Sequence, residues 1–331
     1  MQKYKNILKL VSCYKTFYYF CATMKKLTHY IVFSIGLLML LASCSDNKVQ
    51  QQDAEDAYAL WMADSASLRV AVTPTLDCLP LFVAQAEGMF ERHGVSVSLY
   101  PFNAHMDCDT AFQSGWVDAM TSDLVRAEYL KSKGTSLRYL TATDLHWQLL
   151  ADQKSKVKHL NQLEHKMIAM TRYSATALLA DDLVDTTKMT NDYVFRLQIN
   201  DVNVRFQMLQ THEMDLMFLP EPYAAAARNL KSELLYDTQW NDVCMGALVV
   251  REAVMSDTLY QRQTEGLLKA YDEACDTINS RGIASFGTLL KEKSGVTFDA
   301  RDSLLTTIHF NASHQPREID LDKARQWLQK Q

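Results

Sequence analysis

Leu68-Arg-Val-Ala-Val-Thr-Pro-Thr-Leu-Asp-Cys-Leu-Pro-Leu-Phe-Val-Ala84 is the stretch on which the fold turns. Leu68–Val72 is β-branched and short, as a strand is, and Thr73–Cys78 is a loop of turn formers. Beyond it Leu79, Phe82, Val83, Ala86 and Phe90 recur at helical spacing, and Gly88 and Gly94 punctuate the end. The unit then repeats. Val95–Leu99 alternates as a second strand, and Asp109–Phe112 lies in a helix that stops near Gly115. Val117–Met120 is a third strand, a helix runs on to Gly134, and Leu137–Ala142 is a fourth. Further strands are expected at Trp147–Leu150, Lys166–Met170, Val194–Gln198, Asp215–Leu219 and Met245–Val250. Helices are expected after Thr171–Ala175, over Val202–Met208, and near 257–279, 283–293 and 320–330. Repeated βα units of this size predict mostly parallel sheets with helices on both faces. With 331 residues the chain holds two such α/β lobes.

Composition narrows the function. At 48% hydrophobic and 22% charged residues the chain is globular, and 10 Gly and 6 Pro exclude linker-dominated or collagen-like architecture. Six of the 34 basic residues lie before Ser43, where no acid occurs; the rest carry 28 basic against 39 acidic side chains, a net of −11. A body that acidic is a poor partner for nucleic acid. Lys25 and Lys26 precede the apolar run Ile31–Leu41 and then Ala42-Ser43-Cys44, the order of a secretory signal peptide. The run is too short to span a bilayer. Leu41-Ala42-Ser43-Cys44 resembles the bacterial lipobox, whose cysteine is lipidated and becomes the mature N-terminus. Residues 1–43 are therefore expected to be a signal region, starting in effect at Met24, and residues 44–65 a lipidated tether rich in Gln, Asp, Glu and Asn. The expected location is the cell envelope, anchored to a membrane through Cys44.

Catalytic signatures are absent from the sequence: no GxSxG, GxxxxGK[ST], GxGxxG or HExxH occurs. His212-Glu213 lacks a second histidine, since position 216 is Leu. No metal and no cofactor is expected. Cys78, Cys108, Cys244 and Cys275 show no zinc spacing. Cys78 and Cys108, each after a strand, are the better pair for a disulfide in an oxidising compartment, against the alternative of four buried thiols. Ligands of open α/β sheets bind at the carboxyl ends of the strands, among loops and helix N-termini. That rule selects Thr73, Thr75 and Asp77, Asn103 and His105, and Thr121, Ser122 and Asp123 from the first set of strands. Thr171, Arg172, Tyr173 and Ser174, with Glu221 and Tyr223, come from the second. Any one of these could merely cap a helix.

Val70-Ala-Val-Thr-Pro74, Pro80-Leu-Phe-Val-Ala84, Glu87-Gly-Met-Phe90 and His93-Gly-Val95 together resemble the opening of periplasmic substrate-binding proteins of ABC importers. The group concerned binds sulfonates, taurine, nitrate and pyrimidine precursors of thiamine. Ala111-Phe-Gln-Ser-Gly-Trp-Val-Asp118 resembles its helix–Gly–strand step, and Met214-Asp-Leu-Met-Phe-Leu-Pro-Glu-Pro-Tyr223 its second-lobe strand and turn. The resemblance implies a two-lobed type II periplasmic-binding-protein fold. Residues 66–143 plus 245–331 would form lobe one and 144–244 lobe two, with a ligand held between them. It further implies a solute-binding lipoprotein, not an enzyme, that delivers a small polar metabolite to an ABC permease and its ATPase by lobe closure. Asp77, Asp123 and Glu221, against Arg172 as the only obvious cation, favour a thiamine-precursor-like pyrimidine over a sulfonate-type ligand. Trp147, Tyr173 or Tyr223 would stack on its ring. Two alternatives stand: an exported ligand-sensing or partner-docking lipoprotein without an importer, and a periplasmic enzyme built around Cys78 or around His105 near Asp109.

Overall fold

The strands fall into two five-stranded sheets with the same order. A computed structural model describes residues 67–187 and 193–331. The signal region, Met24, Cys44 and the tether lie outside the described residues. The first sheet holds β1 (Leu68–Val72), β2 (Val97–Pro101), β3 (Ala119–Asp123), β4 (Leu137–Thr143) and β10 (Gly246–Arg251) in the order β2-β1-β3-β10-β4. The second holds β5 (Trp147–Ala151), β6 (Met167–Met170), β7 (Phe195–Gln198), β8 (Leu216–Pro220) and β9 (Glu233–Asp237) in the order β7-β6-β8-β5-β9. β10 runs antiparallel to both its neighbours, as does β5, so the other four strands of each sheet share one direction. Each reversed strand is supplied by chain that has just left the other sheet. β4 ends at Thr143 and β5 starts at Trp147; β9 ends at Asp237 and β10 starts at Gly246. These two crossings join the lobes of a periplasmic-binding-protein fold.

The elements follow from local chemistry. Every residue of β1 and of β8 is buried, as befits strands covered on both faces. Half-buried β2 is an edge strand, where Pro101 removes no ladder hydrogen bond. Helix α1 (Leu79–Ala86) carries Pro80 in its first turn, the one place a helix tolerates it. The remaining long helices are α2 (His105–Gln113), α3 (Leu124–Ser132), α4 (Ala175–Thr186), α5 (Val202–Gln210), α6 (Tyr223–Asn229), α7 (Thr258–Arg281), α8 (Gly287–Ser294) and α9 (Glu318–Leu328). Asp123, Ser174, Asp201 and Asp257 cap α3, α4, α5 and α7 through side-chain acceptors. None of the described helices is long and apolar enough to cross a membrane.

Residues 66–331 form one compact unit. The C-terminal segment touches both lobes. Tyr223 Oη donates to the Ser294 carbonyl (3.0 Å), Arg228 pairs with Asp302 (2.8 Å), and Trp327 Nε1 on α9 donates to Asp181 on α4 (2.8 Å).

Two differences from the sequence reading bear on the site. β3 runs through Asp123, because Thr121 and Ser122 pair with Leu248 and Ala247 of β10 and belong to the ladder, not to a loop. β9, Glu233-Leu-Leu-Tyr-Asp237, has no alternation to announce it; it forms because β5 offers a free edge. Cys78, Cys108, Cys244 and Cys275 are all free thiols, so the Cys78–Cys108 bridge is not made.

Candidate functional site

The carboxyl ends of β1, β2, β3, β6, β7 and β8 converge on one pocket between the lobes. It is lined by Thr73, Thr75, Asn103, His105, Asp123, Arg126 and Trp147, and by Thr171, Ser174, Thr176, Asn200, Val202, Arg205 and Pro220. The space enclosed, open solvent at the mouth included, is about 390 Å³. Backbone contacts cross between the lobes around it. Leu76 N donates to Glu221 O (2.8 Å), Val202 N to Asn103 O (3.2 Å), and Ala175 N to Asp123 Oδ1 (2.9 Å). The lobes are therefore in contact over the pocket.

Half of the expected site residues line it: Thr73, Thr75, Asn103, His105, Asp123, Thr171 and Ser174. The other seven are accounted for differently. Thr121 and Ser122 are fully buried in β3, and Ser122 Oγ donates to the Asp123 carbonyl (3.4 Å). Asp77 sits beneath the pocket and accepts from Thr75 Oγ1 (2.6 Å) and Thr143 Oγ1 (3.3 Å). Since Thr75 spends its proton on Asp77, it must accept from Thr73 (2.8 Å), so Asp77 orients two lining hydroxyls without itself lining the pocket. Arg172 is exposed and absent from the lining, contrary to its expected role as the cation. Tyr173 stacks on Tyr129 of α3 (centroids 4.4 Å, interplanar 7°) outside the pocket. Glu221 is consumed by Gln148, by Arg228 (2.8 Å) and by Ala225 N at the start of α6. Tyr223 is buried, its hydroxyl lying 2.9 Å from the Asn203 side-chain amide as well as against the Ser294 carbonyl.

Two other arginines, Arg205 and Arg126, line the pocket. Arg205 is 2% exposed. Its Nε donates to Ile199 O (2.7 Å), one terminal nitrogen to Phe218 O (2.9 Å) and the other to Thr171 Oγ1. All three partners are neutral, no carboxylate among the described residues pairs with it, and two of its five N–H groups are left over. Burial pulls it down to about 9, so it is still charged at neutral pH. Arg126 pairs with Asp109, and its Nε has no protein partner. Asp109 is taken by Arg126, and among the described residues no carboxylate acts on His105. Burial, then Arg126 and Arg205, lower His105 to about 3, so the ring is neutral. Burial, then the Asp77 charge, push the Cys78 thiol up to about 12. Neither group is a poised nucleophile or base.

Four lining side chains present buried polar atoms without a partner: His105 Nε2, Asp123 Oδ2, Arg126 Nε and Trp147 Nε1. Native interiors rarely leave such atoms unpaired. All four belong to residues that line the same pocket. Trp147 stands between His105 (centroids 6.3 Å) and the Arg205 guanidinium (5.9 Å). A signal for Arg205 exists in the sequence: it falls at i+3 in the apolar face Val202, Phe206, Leu209 of α5, where a charge is out of place.

Two predictions arise from this geometry. The Tyr129–Tyr173 stack ties the lobes together away from the pocket, so Tyr129→Ala weakens ligand binding about 2- to 10-fold by loosening the closed state. Calorimetric titration checks this, and unchanged affinity would remove the stack from the closing contacts. Burial raises Asp77 to about 6, with hydrogen bonds from Thr75 and Thr143 opposing. The folded state then holds that proton more tightly than the unfolded one, so Asp77 favours folding at acid pH and its contribution is lost as pH rises from about 4 to about 6. Asp77→Asn, which can still accept from Thr75, is expected to gain about 1–2 kcal/mol at pH 7 and to flatten the urea-unfolding pH profile over that window.

Known structures share the architecture. A protein from Bordetella bronchiseptica RB50 superposes with TM-score 0.68 at 16% identity, covering 80% of this chain and 89% of its own. The alkanesulfonate-binding protein SsuA from Xanthomonas axonopodis pv. citri bound to MOPS gives 0.66 at 17%, covering 80% and 91%. The periplasmic nitrate-binding protein NrtA from Synechocystis PCC 6803 gives 0.62 at 14%, covering 71% and 68%. At such identities the likeness is one of fold. No curated protein sequence matches the chain. Residues 62–285 match the model of the NMT1-like family, and the chain belongs to that family.

Proposed function

We propose that this protein is the solute-binding component of an ABC import system and that its cargo is a small organic or inorganic anion. The observation that carries the reading is Arg205, a buried guanidinium in an interlobe pocket whose protein partners are all neutral. Burying a charge without a counter-charge is costly, and an anionic ligand supplies the missing partner. The structurally similar SsuA and NrtA are described as sulfonate- and nitrate-binding proteins, which agrees with that chemistry. An aminopyrimidine is the weaker reading, because two of the three carboxylates that favoured it, Asp77 and Glu221, are committed to Thr75, Thr143, Gln148 and Arg228.

Residues 66–143 with 245–331 act as one lobe and 144–244 as the other. A ligand bound to Arg205 on one side and to Arg126 and Thr75 on the other contacts both lobes only when they are closed. Binding therefore shifts the population to the closed form, which the permease recognises. Cys44, lipidated after signal cleavage, holds the body at the cell envelope.

Thermal unfolding of the full chain in a mild detergent tests the reading against ethanesulfonate, taurine, nitrate, bicarbonate, phosphate and a neutral aminopyrimidine. An anion at 100 times its dissociation constant adds about 2.7 kcal/mol. A saturable shift with one or more anions is expected. A shift with the aminopyrimidine alone, or with none of them, overturns the proposal.

A further inference from the structure

The pocket's charges do not sum to those of a simple anion site. Arg126 is neutralised by Asp109, which leaves Arg205 as one unpaired cation. Opposite it stands Asp123, fully buried, whose partners are also insufficient. Asp123 Oδ1 accepts from Arg126 N (3.0 Å), at the start of α3, and from Ala175 N (2.9 Å), at the start of α4 in the other lobe. Oδ2 accepts from nothing in the protein. The matching position of the second sheet shows what satisfaction looks like. Glu221 likewise follows the third parallel strand and caps the next helix, yet its second oxygen is bonded by both Gln148 and Arg228. Asp123 lacks that second set of donors, and the oxygen without them belongs to a residue lining the pocket.

Resting on the anion reading above, we propose that the ligand is a small zwitterion: an acidic group held by Arg205 and Arg126, and an ammonium or comparable N–H donor held by Asp123 Oδ2. With both ends in place, the cation of the site meets the anion of the ligand and the reverse. Each buried charge then has a partner, and the pocket with its ligand is neutral. Arg205 and Asp123 come from opposite lobes. A ligand charged at both ends therefore bridges the cleft, whereas a simple anion leaves the Asp123 carboxylate buried and unmatched on closure. The same carboxylate already bonds α4 across the cleft through Oδ1. Filling Oδ2 thus acts on a side chain that is itself part of the closing contact.

Calorimetric titration of the full chain at pH 7.5 with taurine, isethionate and ethanesulfonate varies the far end of one sulfonate through ammonium, hydroxyl and methyl. Taurine is expected to bind about 10-fold or more tighter than ethanesulfonate, with isethionate between. Asp123→Asn keeps the cap acceptor and the volume. It should erase the advantage of taurine over ethanesulfonate, and an advantage of about 10-fold or more that survives the substitution overturns the role of Asp123. Glycine against acetate repeats the comparison on a carboxylate. Ethanesulfonate equal to or tighter than taurine on the native chain overturns the zwitterion while leaving the anion reading intact. Failure of all five compounds to bind overturns both.

Discussion

Arg205→Met abolishes most anion binding, weakening it by about 100-fold or more, while the fold of the ligand-free protein survives. Two guanidinium N–H groups directed at an anion in a dry pocket are worth about 1.5–3 kcal/mol each, which sets the size of the loss. Stability responds differently. Removing a buried charge that no carboxylate balances relieves its desolvation, whereas the carbonyls of Ile199 and Phe218 lose donors. These effects oppose, so unfolding free energy without ligand should change by no more than about 1.5 kcal/mol. Arg205→Lys keeps the charge but not the planar fork that spans Ile199 O, Phe218 O and Thr171 Oγ1, and should recover only part of the affinity. Titration calorimetry with whichever anion shifts the native protein, alongside urea unfolding, separates the two effects. An affinity for Arg205→Met within threefold of native would show that the guanidinium is structural.

The contrast between Arg205 and Arg172 shows where sequence reasoning stops. Apart from β9, the strands of both sheets were legible because hydrophobic periodicity and turn residues act locally. β1, β5, β6 and β10 fall within a residue or two of where periodicity puts them. The topological rule then pointed to the loops at the carboxyl ends of the parallel strands, and residues of these loops line the pocket. Within those loops the rule had no means of telling which side chains turn inward. Thr121 and Ser122 follow an apolar run and look like a loop, but the β10 ladder extends β3 through them. Glu221 looks available until Arg228, seven residues on along α6, reaches back to it. Arg172 and Arg205 are each one cation near a strand end in the sequence. Only the seating of α5, with Val202 and Phe206 against the second-lobe core, carries Arg205 inward. The chemistry of the site depends on long-range placement, whereas the elements that carry it do not.

Gly246→Ala tests whether the crossing between the lobes is as tight as it looks, and the expected loss is about 2–4 kcal/mol of stability together with about 10-fold in ligand affinity. Gly246 opens β10 between Asp123 of β3 and Thr143 of β4. A Cβ there would lie 2.3 Å from Thr143 Oγ1, 2.6 Å from the Thr143 carbonyl and 2.6 Å from Leu145 Cβ. Two of those atoms are backbone or backbone-attached and cannot swing aside, so the chain at 143–145 must move as a segment. Thr143 donates to Asp77, Asp77 orients Thr75 and through it Thr73, and the strand neighbour Asp123 lines the pocket from the other side. A displacement at this one position therefore reaches the site by two routes, which is why affinity should fall along with stability. Gly295→Ala is the control. Its φ of +71° disfavours a side chain by about 1–2 kcal/mol, nothing lies within 4 Å of the added Cβ, and it has no part in the pocket. If Gly246→Ala costs no more than Gly295→Ala and binds ligand as the native protein does, the crossing has slack. The lobes would then be coupled through the ligand and the Asp123–Ala175 contact, not through the packing of the strands that join them.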